Sequence, residues 1–317
     1  MTEQLAAQWL AERDNVLLLT HVRPDGDTLG SAGGLMLALR ELGKTAYLAM
    51  NDGVTGTYVG FLPENCFAPA DFVPEHIVSV DIATENLFPD TMEQWKGKVE
   101  LCIDHHPSNE FYAGETCLDA TAAACGEIIY RICGHLGVMN AGIAEQLYLA
   151  ISTDCGCFVY NSTTPETHRI AAELIAQGDF WKAINKKCFQ TVSHKELQLQ
   201  SMLVESMDWY DDGATVIGAI SQADMERIHA TKEDSEELAS FANKIEGVKV
   251  AATLRQLGER VWKLSLRTDG SLNATRACAL LGGGGHAAAA GATMNDVDEK
   301  QARERVLSAI RTIQAEG

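Results

Sequence analysis

The 317-residue sequence predicts an α/β protein. Its N-terminal part would be a doubly wound, mostly parallel sheet, and its C-terminal part a smaller α+β domain, with a cleft between them. Three observations predict this. Short, continuously apolar runs alternate with helical patterns through the first half, as strands buried on both faces do. The alternation stops in a polar stretch from residue 186 to 209. Beyond residue 210, strand patterns return with the close spacing of a hairpin. The expected division is therefore residues 1–185, a helical connector over 186–209, and residues 210–317.

Residues 1–13 have the spacing of an amphipathic helix. Residues 16–20 form the first compact apolar strand, and residues 30–42 the helix after it, opened by small residues. Further short apolar runs lie at 45–50, 76–80 and 99–103, and helical patterns at 122–136 and 143–153. In the second half, 215–221, 248–254 and 261–267 are expected strands, the last two joined by a loop over 256–260. Helices are expected at 233–245 and 297–315.

A hydrophobic fraction of 46% and a charged fraction of 22% suit an ordinary globular chain. No apolar run approaches the roughly 18–20 residues that span a bilayer. The N-terminus lacks the basic start and apolar block of a secretory leader, so a cytoplasmic location is expected. The nine cysteines form no paired C-x-x-C set, which argues for reduced, mostly buried thiols over a structural zinc site. A formal net charge of -19 argues against tracking along long nucleic acid. It leaves room for a short phosphate-bearing substrate held by a few cations.

Three expected strand ends deliver acids or imidazoles. His21, Asp25 and Asp27 follow 16–20, Asp81 follows 76–80, and Asp104, His105 and His106 follow 99–103. Ligands of parallel sheets gather beyond the carboxyl ends of the strands. Asp25 and Asp27, two apart in an extended loop, could point to one side and hold separate cations with His21. Asp81 could bridge them, and His105 and Asp154 could complete the second. Carboxylate and imidazole without thiolate suits Mn²⁺, Mg²⁺ or Fe²⁺. Such a pair of cations would clamp a phosphate and lower the pKa of a water for in-line attack on phosphorus. Taken singly, each group has a plainer reading: Asp-Gly-Asp as a surface turn, His-His as loop or core, Asp81 and Asp154 as caps. Their co-occurrence at the strand ends of one sheet favours the metal site.

At these residues the chain resembles the DHH phosphoesterase superfamily. His21-x-x-Pro24-Asp25-Gly26-Asp27, Asp81, Asp104-His105-His106, and Thr153-Asp154 with Gly156 and Phe158 look like its successive motifs. Gly282–His286 through Ala289-Ala290-Gly291 looks like the signature of the associated C-terminal domain, called DHHA1. The resemblance implies one metal on His21, Asp25 and Asp81, and another on Asp27, Asp81, His105 and Asp154. It also implies that Asp104 orients a ligand and that His106 faces the scissile phosphate. Size and domain content look like the nanoRNase and phosphoadenosine-phosphate phosphatase branch. That branch cleaves oligoribonucleotides of two to five nucleotides and dephosphorylates 3'-phosphoadenosine 5'-phosphate. Manganese is the expected metal, and short oligoribonucleotides and nucleotide bisphosphates the expected partners, with no membrane; a homodimer is compatible. Cys155, the Thr268-Asp269 pair and the alanines of 121–125 depart from the common pattern, which bears on substrate preference.

The glycine run lacks the Lys-Ser/Thr of a Walker loop. Alone it would be read as a mobile loop. With the resemblance, the backbone of Gly283, Gly284 and Gly285 would face an anion, and His286 and Arg267 would grip a terminal phosphate. Two other readings stand beside this one. The chain could hydrolyse cyclic dinucleotides or their linear products, or it could be a nucleotide-binding regulator without catalysis.

Overall fold

The computed structural model describes residues 1–316 and divides into two compact units, residues 1–191 and residues 192 onward. The first contains α1 (Glu3–Ala11), β1 (Val16–Leu19), α2 (Gly26–Glu41), β2 (Ala46–Leu48), β3 (His76–Val80), β4 (Leu101–Asp104) and β5 (Glu115–Leu118). Four helices follow: α3 (Cys125–Leu136), α4 (Ala141–Asp154), α5 (Pro165–Ile175) and α6 (Trp181–Phe189). The strands form a wholly parallel sheet in the order β2-β1-β3-β4-β5. The order reverses between β1 and β3, so the loops leaving those strands separate and open a crevice at their carboxyl ends.

Alternation along β1 explains why both faces are buried. Val16 and Leu18, with Val78, Val80, Leu101 and Ile103, pack against apolar residues of α1 to α4 such as Leu35, Ile128 and Leu147. Leu17 and Leu19 face the other way, onto Phe88 and Met92 from the 3₁₀ segments that follow β3. Helices α2 and α4 pack at close range. A Cβ on Gly30 would lie 2.4 Å from the Gln146 carbonyl oxygen, so only glycine fits there.

The second unit contains α7 (His194–Glu205), β6 (Asp208–Tyr210), β7 (Thr215–Ile220), α8 (Gln222–Arg227), α9 (Leu238–Ala242), β8 (Val250–Gly258) and β9 (Val261–Thr268). It ends with α10 (Ala274–Ala279), β10 (Gly284–His286), β11 (Ala289–Asn295) and α11 (Glu299–Glu316). Its six strands run in the order β10-β11-β9-β8-β7-β6, parallel only between β7 and β8. Ile217, Leu254 and Leu264 pack with Val306 and Ile310 of α11. Val216, Ile220 and Ala251 pack with Leu199 and Leu203 of α7 and with Leu238 of α9.

The α/β class and the parallel sheet agree with the sequence reading; several elements differ in detail. Helix α2 begins at Gly26, not at residue 30, because the Asp25 side chain caps it. The expected helical connector over 186–209 is broken between Phe189 and His194, where Ser193 caps a new helix. The expected helix 233–245 reduces to a 3₁₀ turn, Glu233–Ser235, and the short α9. The β8–β9 strands pair through Gln256, with a bulge before Gly258, so the loop is shorter than expected. Strands β5, β6, β10 and β11 were not foreseen. All nine cysteines are unpaired, and only Cys157 and Cys188 are not buried. Among the described residues, no helix is long and apolar enough to cross a membrane.

Candidate metal centre

The side chains at the β1, β3 and β4 ends meet in the first unit. Asp25 and Asp27 do not share an extended loop, because the helix begins between them at Gly26. Asp25 is the N-cap of α2, and its Oδ1 accepts from the N–H of Asp27 at 3.0 Å and of Thr28 at 3.1 Å. Asp27 lies in the first turn of the helix, where the dipole favours negative charge. Its carboxylate is buried and tightly held: Oδ1 accepts from Ser31 at 2.9 Å and Gly126 N at 3.0 Å, and Oδ2 from Cys125 N at 2.7 Å. Those two amides open α3, so two helix N-termini converge on one carboxylate.

His21 has its Nδ1 2.9 Å from the Val22 carbonyl, which places the ring proton there and leaves Nε2 as the acceptor. That Nε2 lies 3.6 Å from Asp25 Oδ1 and 3.8 Å from Asp81 Oδ2. His105 repeats the device: Nδ1 is 3.2 Å from the Ala122 carbonyl, and Nε2 is 3.7 Å from Asp27, 3.5 Å from Asp81 and 3.6 Å from Asp154. Asp154 ends α4 and is the more exposed of these carboxylates after Asp25.

Asp81 sits between the two imidazoles. Its backbone is left-handed, with φ of 62°, a conformation that bulky residues avoid. It is buried, and its Oδ1 has no hydrogen-bond partner. A buried carboxylate oxygen without a donor is costly unless a cation meets it. The groups His21–Asp25–Asp81, Asp27–His105–Asp154 and Asp81–His105–His106 each hold their ligand atoms within 4.8 Å of one another. The donor set of carboxylates and imidazoles fits divalent cations that prefer oxygen and nitrogen.

Electrostatics point the same way. Burial, then the charge of Asp154, pushes Asp27 up to about 7. Burial and the neighbouring Asp27 raise Asp81 well above its ordinary value, and burial also raises Asp154. Asp25 stays below its ordinary value; burial opposes this, but the neighbouring His21 and the α2 amides outweigh it. Cation charge would relieve this crowding.

Asp104 and His106 form an adjoining pair. Asp104 is fully buried and accepts from His106 Nδ1 at 2.8 Å, which raises the imidazole above its ordinary value. Asn109, which the sequence reading did not single out, donates to the other Asp104 oxygen at 2.6 Å.

The other candidates, Arg267 and Gly283 to His286, belong to the second unit. Arg267 is the penultimate residue of β9, half-buried, and its guanidinium donates to the Leu266 carbonyl at 3.2 Å. The glycine run is an ordered edge, not a loop. The Gly282 and Gly283 N–H groups are taken by the Ala279 and Cys278 carbonyls at the end of α10. From Gly284 the chain pairs with β11, and a Cβ on Gly285 would lie 2.6 Å from Ala290 Cα. The glycines therefore serve close strand approach, and Gly284, Gly285 and His286 are left exposed.

Comparison with known proteins identifies the lineage. The model of the DHH family N-terminal domain matches residues 15–151, and that of the DHHA1 domain matches residues 216–316. A Thermus thermophilus protein named bifunctional oligoribonuclease and PAP phosphatase NrnA is 33% identical over 93% of this chain and 89% of its own. The chain belongs to the DHH family. A second relative of that name, from Bacillus subtilis, is 25% identical over 95% of this chain and 95% of its own. The fold agrees with the crystal structure of an exopolyphosphatase-related protein from Bacteroides fragilis, with a TM-score of 0.88 and 23% identity, covering 99% of this chain and 97% of that one.

Proposed function

We propose that this DHH-family chain is a phosphohydrolase that cleaves oligoribonucleotides of two to five nucleotides to mononucleotides and dephosphorylates 3'-phosphoadenosine 5'-phosphate. The names of the relatives above support the substrate class. The observation that carries the chemistry is the Asp81 carboxylate, whose Oδ1 has no hydrogen-bond partner and lies 3.5 Å from both His105 and His106, while its Oδ2 faces His21 at 3.8 Å, with Asp25, Asp27 and Asp154 nearby. On this reading His21, Asp25 and Asp81 hold one divalent ion, and Asp27, Asp81, His105 and Asp154 a second, with Mn²⁺ favoured. Ions bound there supply charge for the phosphate and lower the pKa of a water. The protein contributes fixed positions. The carbonyls of Val22 and Ala122 set the imidazole tautomers, and the α2 and α3 amides hold the carboxylates.

His106 is the proposed partner of the scissile phosphate. Its Nδ1 is tied to Asp104, so Nε2 is the end available to a substrate oxygen. The negative partner favours the protonated ring, which donates a hydrogen bond to that oxygen or a proton to the leaving group. Arg267 and His286 are the proposed grip on a terminal phosphate, and binding far from the reacting bond would position short substrates.

The test uses purified protein with Mn²⁺ and four substrates: a dinucleotide, a long oligoribonucleotide, 3'-phosphoadenosine 5'-phosphate and a cyclic dinucleotide. Rapid conversion of the dinucleotide, with the long chain resistant, is expected. Preference for the long chain or the cyclic compound would overturn the substrate assignment. Persistent activity in the presence of excess chelator would overturn the metal reading.

A further inference from the structure

We infer that Asn109 is a positioning residue that fixes His106 for reaction through Asp104; this rests on the role proposed above for His106. Asn109 is 7% exposed, and its backbone N–H, its side-chain oxygen and its side-chain nitrogen, which also lies 3.5 Å from Cys102 Sγ, are all engaged. Its backbone N–H donates to the His106 carbonyl at 3.1 Å, closing the turn that carries the imidazole. Its Nδ2 donates to Asp104 Oδ2 at 2.6 Å, and its Oδ1 accepts from Phe111 N at 2.8 Å. Phe111 has φ of 54°, so the amide pins a bulky residue in the left-handed region just past the turn.

The two oxygens of Asp104 divide their work. Oδ1 receives His105 N at 2.9 Å, His106 N at 3.3 Å and His106 Nδ1 at 2.8 Å. Oδ2 receives Asn109. Because Asp104 is fully buried, no bulk water replaces the amide if it is removed. The carboxylate then keeps one unpaired oxygen in a dry site and gains a reason to rotate. Rotation about χ2 moves Oδ1 away from His106 Nδ1 and frees the ring. An aspartate at 109 would be worse than an alanine, since two carboxylates would face each other at 2.6 Å. The reciprocal pair, with amide at 104 and carboxylate at 109, restores a donor on one side and an acceptor on the other.

The test compares wild type with Asn109→Ala, Asn109→Asp, the double variant Asp104→Asn/Asn109→Asp, and His106→Ala. Turnover of a dinucleotide with Mn²⁺ gives kcat and KM. Nitrogen-15 spectra of the histidine rings, recorded without added metal, report the His106 Nδ1 proton independently of activity. Asn109→Ala should lower kcat about 10–100-fold with KM within roughly twofold of wild type. It should also shift or broaden the His106 Nδ1 signal while the melting transition stays cooperative. Asn109→Asp should fall further, and the double variant should recover about tenfold over it. A wild-type kcat and an unmoved His106 signal in Asn109→Ala, with His106→Ala impaired, would overturn the inference. If wild type fails to turn over, or His106→Ala is fully active, the functional reading falls instead. The ring spectra of the Asn109 variants then decide the positioning claim: a shifted His106 signal supports it, and an unmoved one refutes it.

Discussion

Protein stripped of divalent metal should lose stability as pH rises from 5 to 7.5, and Mn²⁺ should restore it most at the higher pH. The reasoning starts with Asp27, pushed up to about 7 from an ordinary 3.8. A carboxylate whose folded pKa is raised binds its proton more tightly folded than unfolded. Stability is therefore greatest below the unfolded pKa of 3.8 and declines as pH rises toward 7. At about 1.4 kcal/mol for each pH unit, the part of that gap between pH 5 and about 7 corresponds to about 3 kcal/mol. Asp27 is buried, so solvent screening calls for little discount, and Asp81 and Asp154 shift in the same direction. Asp25 and Asp104, held low, lose their contribution only below about pH 4 and do not mask the effect. For a unit of this size, 1 kcal/mol moves Tm by about 2–4 °C, so a fall on the order of 10 °C is expected. Scanning calorimetry of chelator-treated protein at pH 5, 6 and 7.5, with and without Mn²⁺, measures it. A flat metal-free Tm across this range, or an equal Mn²⁺ effect at pH 5 and 7.5, would refute the reasoning.

Asp154→Ala should reduce turnover of a dinucleotide by at least about 100-fold while leaving the metal-free Tm unchanged or raised, because it removes one of several crowded charges. Steady-state kinetics and calorimetry check both halves. Gly126→Ala should destabilise by about 1–3 kcal/mol, since its Cβ would lie 2.7 Å from Ala150 Cβ, and should also disturb the amide that holds Asp27; denaturant unfolding measures it. Gly283→Ala should destabilise the second unit by a similar or larger amount, because its Cβ would lie 2.1 Å from the Gly291 carbonyl oxygen, which is backbone and yields little. Arg267→Ala should raise KM about tenfold or more with kcat nearly unchanged, as expected when one phosphate contact is lost.

Much of the candidate centre was legible because its signals are local. Apolar runs at 16–20, 76–80 and 99–103 mark strands that must be buried, and an acid or imidazole directly after such a strand lies at the sheet edge. Asn109 left a weaker trace. It stands three residues after His106, but an Asn in a turn is common, and nothing local shows that its amide meets Asp104.

The sequence by itself determined the parallel α/β class, the six acids and imidazoles at the strand ends of β1, β3, β4 and the end of α4, and the presence of a second, smaller α+β unit. Apolar periodicity and polar punctuation are written along the chain and need no distant partner to be read. Only the tertiary structure decided that β1 lies beside β3, which sets Asp81 next to His21. It alone brought Cys125 N to Asp27 across 98 residues and turned a glycine run into an edge strand against Ala289–Asn295. Strand order, helix-end convergence and strand approach are settled by which apolar faces pack together, a property of the whole chain and not of any segment.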